Sequence, residues 1–188
     1  MKKLLFQSDD YGLTDAVADG ILKGIHQGII RNTGLFVNMP SSARAAEKIR
    51  DCAEVCVGID INLVAGKPIS DPAEVPALVN SDGHFVPSVQ RMREGKVIGR
   101  QGMCLCFEQD PYNYEEVMLE TENQVKRFIE LMGRKPEYFH GHSMATPNTQ
   151  KAARVIAEKY NILMTLDVMN SNAISCLLYT SPSPRDRS

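Results

Sequence analysis

The stretch Lys3-Leu4-Leu5-Phe6-Gln7-Ser8-Asp9-Asp10-Tyr11-Gly12 is the best guide to the fold, because an apolar run of strand length ends at two adjacent carboxylates and a glycine turn. Three later apolar runs contain or precede a polar residue in a similar place: Asp60, His142 and Asp167. This recurrence predicts that polar side chains converge at one end of a sheet.

Helix-like stretches separate the strand-like runs, which favours parallel βα units over an antiparallel meander. Thr14 can cap the first helix, and Gly28 ends it. The pattern predicts further strands at 33–38, 56–63, 137–141 and 162–168, and further helices at 41–50, 114–132 and 148–160. The fold class is therefore α/β.

Two segments depart from this pattern. Residues 64–111 read as an insertion or a lid-like excursion, with a small hairpin or turn at Asp82-Gly83. Residues 174–188 contain two prolines and no element period, and they resemble translated adaptor sequence more than a natural terminus. A native disordered tail is the alternative. We expect one domain over 1–173, cut short if the tail is foreign.

Composition narrows the classes of partner and compartment. The chain has 21 Lys+Arg against 23 Asp+Glu, a net charge of -2, and no basic stretch, so nucleic acid is not expected as a partner.

The apolar run near the start is too short for a signal peptide, and no apolar run is long enough to span a membrane, so we expect a cytoplasmic protein. The five cysteines lack zinc-knuckle spacing and are expected to be reduced and mostly packed. Formation of a homo-oligomer stays open.

Asp9 and Asp10 are the first candidate site residues. In a structural interpretation, one carboxylate caps the following helix or turn and the other is solvated. Thr14 is better placed as the cap. Adjacent carboxylates repel each other unless a cation lies beside them, so a divalent ion would explain the pair.

Asp60 interrupts an otherwise apolar strand, where it shares a face with Gly58 and Asn62. A carboxylate in a central strand is costly unless it is paired or bound to a metal. A simple exposed face would require an edge strand, so we favour a functional role.

His140 and His142 lie two residues apart, on the same side of an extended strand. One histidine is usually a packed or surface residue, whereas two at the end of a strand favour metal ligation. His26 and His84 have no such neighbour in the sequence and are interpreted as structural.

Four blocks of the sequence, in order and with matching spacing, resemble the YdjC-like carbohydrate deacetylases: 8–13, 35–40, 57–63 and 139–142. The resemblance runs from residue 3 to about 168. It implies a variant (β/α) barrel of the polysaccharide-deacetylase-like type, incomplete in this chain. It also implies removal of acetyl groups from N-acetylated sugars such as chitooligosaccharides, with a divalent metal as cofactor.

The resemblance also implies roles for individual residues. Asp9 matches the general base, and Asp10 and His142 match metal ligands. Asp60 stands where the family ordinarily has its other metal-binding histidine, and we expect it to be the third ligand. A carboxylate there shifts the preference toward Mg²⁺, with Zn²⁺ and Mn²⁺ as alternatives. His140 stands where the family often has Asp and is a candidate proton donor.

Three further interpretations remain open. Asn38 could bind sugar hydroxyls or could be a turn residue. The same acids and histidines could serve a metal-dependent phosphoesterase, although the sequence has no Gly-rich phosphate loop and no arginine cluster. An inactive sugar-binding relic or an unstable fragment is the non-enzymatic alternative.

Overall fold

The computed structural model describes residues 5–171 and shows an α/β fold built on a parallel sheet. Five strands form it, and every neighbouring pair is parallel. In the order in which they lie side by side, they are β1 (Gln7–Tyr11), β2 (Asn32–Leu35), β3 (Cys56–Ile61), β6 (Tyr138–Gly141) and β7 (Leu163–Met164). No pairing joins β1 to β7 within 5–171, so the sheet there has two edges and is not a closed barrel.

Four longer helices connect the strands: α1 (Asp15–His26), α2 (Ser42–Ile49), α4 (Tyr114–Met132) and α5 (Pro147–Tyr160). Their ends follow local chemistry. The Thr14 side chain caps α1 by accepting a hydrogen bond from the Val17 amide, as predicted. The predicted helix at 114–132 is confirmed at both ends, and Gly133 closes it in the left-handed conformation that glycine adopts readily.

The two faces of the sheet differ in chemistry. The four helices share one hydrophobic cluster with Leu35, Ile59 and Phe139, which lie in one row across the sheet. Strand order follows chain order, so right-handed crossovers bring all four helices to this face. Period-two alternation turns Asp60 and His140, which are also paired across strands, to the opposite face. The candidate site therefore lies away from the helices.

The stretch 64–111 holds the elements that depart from the βα pattern. It contains α3 (Ser88–Glu94) and an antiparallel hairpin of β4 (Val97–Gln101) and β5 (Cys104–Phe107), which sequence reasoning did not predict. The predicted turn at Asp82-Gly83 is confirmed, because an isolated antiparallel bridge joins Val79 and Phe85 around it. A backbone hydrogen bond from the Leu105 amide to the Ala145 carbonyl attaches the hairpin beyond the carboxyl end of β6.

One predicted element is wrong. The strand expected at 162–168 ends at Met164, and α6 (Thr165–Ser171) follows at once. Asp167 therefore lies in the first turn of a helix, where a carboxylate is favourable, and forms an ion pair with Arg154. It does not join the polar side chains at the end of the sheet. The tail at 174–188 lies outside the described residues.

Among the described residues, no helix combines the length and the apolar character needed to cross a bilayer.

Candidate functional site

An irregularity in β1 sets the position of Asp10. The pairing register of β1 with β2 shifts between Ser8 and Tyr11, and Asp10 has a φ of 67°, a left-handed conformation uncommon outside glycine. Bulges of this kind redirect side chains and are frequent beside active sites. The redirected Asp10 amide donates a 3.0 Å hydrogen bond to Oδ2 of Asp60, which ties the end of β1 to β3.

Asp60 is fully buried, and its carboxylate is incompletely satisfied. Oδ2 accepts the Asp10 amide, whereas Oδ1 has no hydrogen-bond partner among residues 5–171. The pKa of Asp60 is raised to about 7, mainly by burial; the hydrogen bond from the Asp10 amide opposes this rise, and the nearby charges of Asp9 and Asp10 add to it. The carboxylate occupies the space above Gly34 on β2, where any side chain would overlap it. A buried carboxylate in these surroundings is stabilised by a bound cation or by protonation.

His142 forms the second close contact with Asp10. Its Nδ1 lies 2.9 Å from Oδ1 of Asp10, a contact without hydrogen-bond geometry, so this buried oxygen has an ionisable neighbour but no hydrogen-bond partner within the described chain. The His142 amide donates to the Ile61 carbonyl, and the ring packs edge-on against Phe36 at 4.8 Å between centroids. The imidazole is therefore held beside the carboxylates by both backbone and ring contacts.

Asp9, Asp60 and His140 form a cluster in which one ligand atom of each residue lies within 4.8 Å of the others. Strand pairing explains why two of these residues are close, because Asp60 and His140 are direct partners across β3 and β6. The predicted ligand set of Asp10, Asp60 and His142 is not one of the clusters that meet this distance within residues 5–171. The structure thus brings all five predicted acids and histidines to one end of the sheet, but with Asp60 nearer to Asp9 and His140.

Asn38 is engaged by its own protein. Its side-chain amide donates to the carbonyls of Ala65 and Lys67, and its oxygen accepts from the side chain of Asn62. These bonds hold the loop that follows β3. A role in shaping the site wall fits them better than direct contact with sugar hydroxyls.

A cavity of about 130 Å³ adjoins the two histidines. Besides His140 and His142 it is lined mainly by apolar side chains, among them Leu63 and Met103. Met103 belongs to the turn between β4 and β5, so the hairpin of the 64–111 segment contributes to the wall of the site. The lid-like interpretation of this segment stays a prediction.

Tyr138 and Gly34 are two site residues that sequence reasoning missed. The Tyr138 ring covers Gly58, and its buried hydroxyl has no partner within the described part of the chain. Burial, together with the charges of Asp60 and Asp9, raises the pKa of this phenol. Their importance follows from strand pairing, which no local pattern signals.

The chain matches the family model described as YdjC-like protein over residues 3–181. It is 31% identical over 163 residues to carbohydrate deacetylase 2 of Listeria innocua, and 30% identical over 164 residues to a carbohydrate deacetylase of Thermoanaerobacter pseudethanolicus. These matches cover 85% and 86% of this chain but only 58% and 59% of the relatives. The chain thus spans less than two thirds of their length.

A crystal structure from Enterococcus faecalis is similar in fold. That protein, assigned to cellobiose-phosphate cleavage, superposes with a TM-score of 0.72 at 27% identity. The match covers 87% of this chain and 58% of that one.

Proposed function

The chain belongs to the YdjC-like family, and we propose that it is the amino-terminal part of a metal-dependent deacetylase that hydrolyses the acetamide of N-acetylated amino sugars or chitooligosaccharides. Relatives named carbohydrate deacetylase, which match most of this chain, support the proposal. The fold we propose for the whole protein is the variant (β/α) barrel. Its first strands would be the five parallel strands described above.

The observation that carries the proposal is the unsatisfied carboxylate of Asp60. An ionised carboxylate without partners is costly to bury, so folded proteins pair such groups or place them against a metal. Oδ1 of Asp60 and Oδ1 of Asp10 are both buried and without hydrogen-bond donors among residues 5–171. Oδ1 of Asp10 lies 2.9 Å from a ring nitrogen of His142, and a carboxylate oxygen of Asp60 lies within 4.8 Å of a ring nitrogen of His140. Carboxylate oxygens and imidazole nitrogens are suitable donors for a divalent cation.

We propose Asp10, Asp60 and His142 as the metal ligands. The 2.9 Å contact of Asp10 with His142 and the hydrogen bond from the Asp10 amide to Asp60 support this set. Asp9, Asp60 and His140 are the competing set, supported by their mutual distances. Both sets contain two carboxylates and one imidazole, and this oxygen-rich composition favours Mg²⁺, with Mn²⁺ and Zn²⁺ as alternatives.

A divalent cation bound there would lower the pKa of water and polarise the acetamide carbonyl. Asp9 has the role of general base. Its exposed carboxylate, which accepts a hydrogen bond from the Gln7 side chain, takes the proton as the water oxygen attacks the carbonyl carbon. The carbon–nitrogen bond then breaks, and the sugar nitrogen takes a proton from His140. The products are acetate and the free amine.

The test measures acetate release from N,N′-diacetylchitobiose by the chain supplied with Mg²⁺, beside Asp9→Asn, Asp10→Asn and the control Asp19→Asn. Asp19 is an exposed carboxylate of α1 paired with Lys48, so its variant should retain activity. We expect Asp9→Asn to bind Mg²⁺ in calorimetric titration but lose turnover, and Asp10→Asn to lose both.

Two outcomes would revise the assignment. If Asp9→Asn loses Mg²⁺ while Asp10→Asn retains it, Asp9 is a ligand and not the base. If wild type binds Mg²⁺ but releases no acetate from acetylated sugars, the deacetylase proposal fails for this chain.

The similarity to the cellobiose-phosphate cleavage protein supports a second candidate, hydrolysis of a phosphorylated disaccharide. The same cation site could activate water for that reaction. Incubation with cellobiose phosphate separates the two candidates, because release of glucose or phosphate without acetate release from N,N′-diacetylchitobiose would favour the second.

A further inference from the structure

We propose that His26, Cys52 and Glu54 form a second metal site, selective for Zn²⁺ and similar transition-metal ions over Mg²⁺. One ring nitrogen of His26, the Cys52 sulfur and one Glu54 carboxylate oxygen all lie within 4.8 Å of one another. Nδ1 of His26 is already 3.1 Å from Oε2 of Glu54, and Cys52 is a free thiol.

The fold places this cluster at the amino ends of the parallel strands, whereas the carboxylate site lies at their carboxyl ends. His26 is the last residue of α1, and Cys52 and Glu54 lie in the connection from α2 to β3. Asp60 lies four residues after Cys56, where β3 begins, which corresponds to a rise of about 13 Å. The second site therefore stands independently of the proposed deacetylase function.

The donor atoms determine the class of ion. Thiolate and imidazole are the preferred ligands of Zn²⁺, whereas Mg²⁺ is bound by oxygen. Ligands bound to tetrahedral zinc at about 2.0–2.3 Å lie about 3.5 Å from one another. The three side chains approach this spacing, and those of His26 and Glu54 are more than half exposed. Three protein ligands would leave the fourth position for water.

The surroundings favour a cation. The carboxyl end of α1 carries a partial negative charge, and His26 lies there. Three nearby guanidinium groups donate to protein acceptors: Arg31 to the Ile25 carbonyl at this same end of α1, Arg50 to the Leu131 carbonyl, and Arg134 to Glu137. Cys52 and Glu54 line an open groove of about 480 Å³, which gives an ion access from solvent. A bound ion would tie the end of α1 to the start of β3.

The experiment titrates the full chain, first stripped with a chelator, with Zn²⁺ and Co²⁺. The background variant is Asp60→Asn, which disables the carboxylate site and isolates the second one. We expect this background to retain one Zn²⁺ site and to show the near-ultraviolet band of a cobalt–thiolate bond. Cys52→Ser and His26→Ala in this background should each weaken Zn²⁺ binding at least tenfold, since loss of even an outer-shell partner costs about 10–100-fold.

Matched controls address the other thiols and histidines. Cys106→Ser changes a half-buried cysteine on β5, and His84→Ala changes a histidine outside the cluster; both should retain the cobalt band and the Zn²⁺ affinity. Each variant is also compared with its background by circular dichroism, so that misfolding is not mistaken for loss of a ligand. A cobalt band that persists in Cys52→Ser, or Zn²⁺ affinity unchanged in both Cys52→Ser and His26→Ala, would overturn the proposal.

Discussion

Asp60 on β3 and Glu120 on α4 are both fully buried carboxylates, yet their surroundings differ completely. Glu120 accepts hydrogen bonds from the amides of Ile69 and Ser70, from the Ser70 hydroxyl and from the Gln124 side chain. Asp60 accepts one hydrogen bond and has an oxygen without a donor in the described chain. A carboxylate surrounded by donors serves the fold, whereas one left short of donors is available to a ligand.

Removing Glu120 should have the largest effect on stability. Glu120→Ala leaves the amides of Ile69 and Ser70 and the Ser70 hydroxyl without this acceptor, and it removes one of the two acceptors of the Gln124 side-chain amide. We therefore expect a loss of about 3–5 kcal/mol in the free energy of unfolding. Urea denaturation measures it. Glu130→Ala is the control, because Glu130 lies on the same helix in an exposed pair with Arg127, which is worth about 0.2–1 kcal/mol. Similar losses in the two variants would contradict the structural role of Glu120.

Replacing Asp60 should stabilise the metal-free protein at neutral and alkaline pH. The pKa of Asp60 is raised from an ordinary 3.8 to about 7, so between these values the folded state holds a proton that the unfolded state has released. Stability is full below about pH 4 and falls as pH rises through 7. Asp60→Asn removes this fall, and we expect it to be about 2–4 kcal/mol more stable than wild type at pH 8 in the presence of a chelator.

The measurement is urea denaturation of both proteins from pH 4 to 8. Added Mg²⁺ should restore the stability of wild type at pH 8 but have little effect on Asp60→Asn, because only wild type has the charged ligand. Parallel curves across this pH range would contradict the unsatisfied state of Asp60.

Filling the space above β2 should abolish Mg²⁺ binding while lowering the stability of the fold only moderately. A methyl group at Gly34 would overlap the Asp60 carboxylate, so Gly34→Ala should displace that side chain at a cost of about 1–3 kcal/mol and abolish Mg²⁺ binding. The control is Gly99→Ala on β4, where an added methyl meets no atom within 4 Å among the described residues. Calorimetric titration checks the ion and urea denaturation checks stability. Unchanged Mg²⁺ affinity in Gly34→Ala would mean that Asp60 is not a ligand.

Local signals predicted the elements and the residues that converge. The Thr14 cap, the periodicity of 114–132 and its closing Gly133 each act within a few residues, so the sequence contains all that is needed. Polar residues at the ends of parallel strands meet at one edge, which is why Asp10, Asp60 and His142 were predicted to lie together.

Features that depend on pairing could not be predicted in this way. The left-handed conformation of Asp10 arises from a register shift against β2, and the space for Asp60 exists only because Gly34 lies on the neighbouring strand. The short apolar run before Asp167 fits a strand or a helix equally well. The ion pair between Asp167 and Arg154, which are far apart in the sequence, favours the helix.

The smallest expected effect compares two buried tyrosine hydroxyls. Tyr11 donates a 2.8 Å hydrogen bond to the Ala45 carbonyl, whereas the Tyr138 hydroxyl near Asp60 has no partner in residues 5–171. Tyr11→Phe should lower the free energy of unfolding, measured by urea denaturation, by about 1 kcal/mol. Tyr138→Phe should leave it unchanged or raise it by up to about 1 kcal/mol, because a buried hydroxyl without a partner has lost its hydrogen bonds to water and made none in the protein. An equal loss of stability in Tyr138→Phe and Tyr11→Phe would mean that the folded protein supplies the Tyr138 hydroxyl with a hydrogen-bond partner. The polar groups around Asp60 would then have the partners that a ligand site is expected to lack.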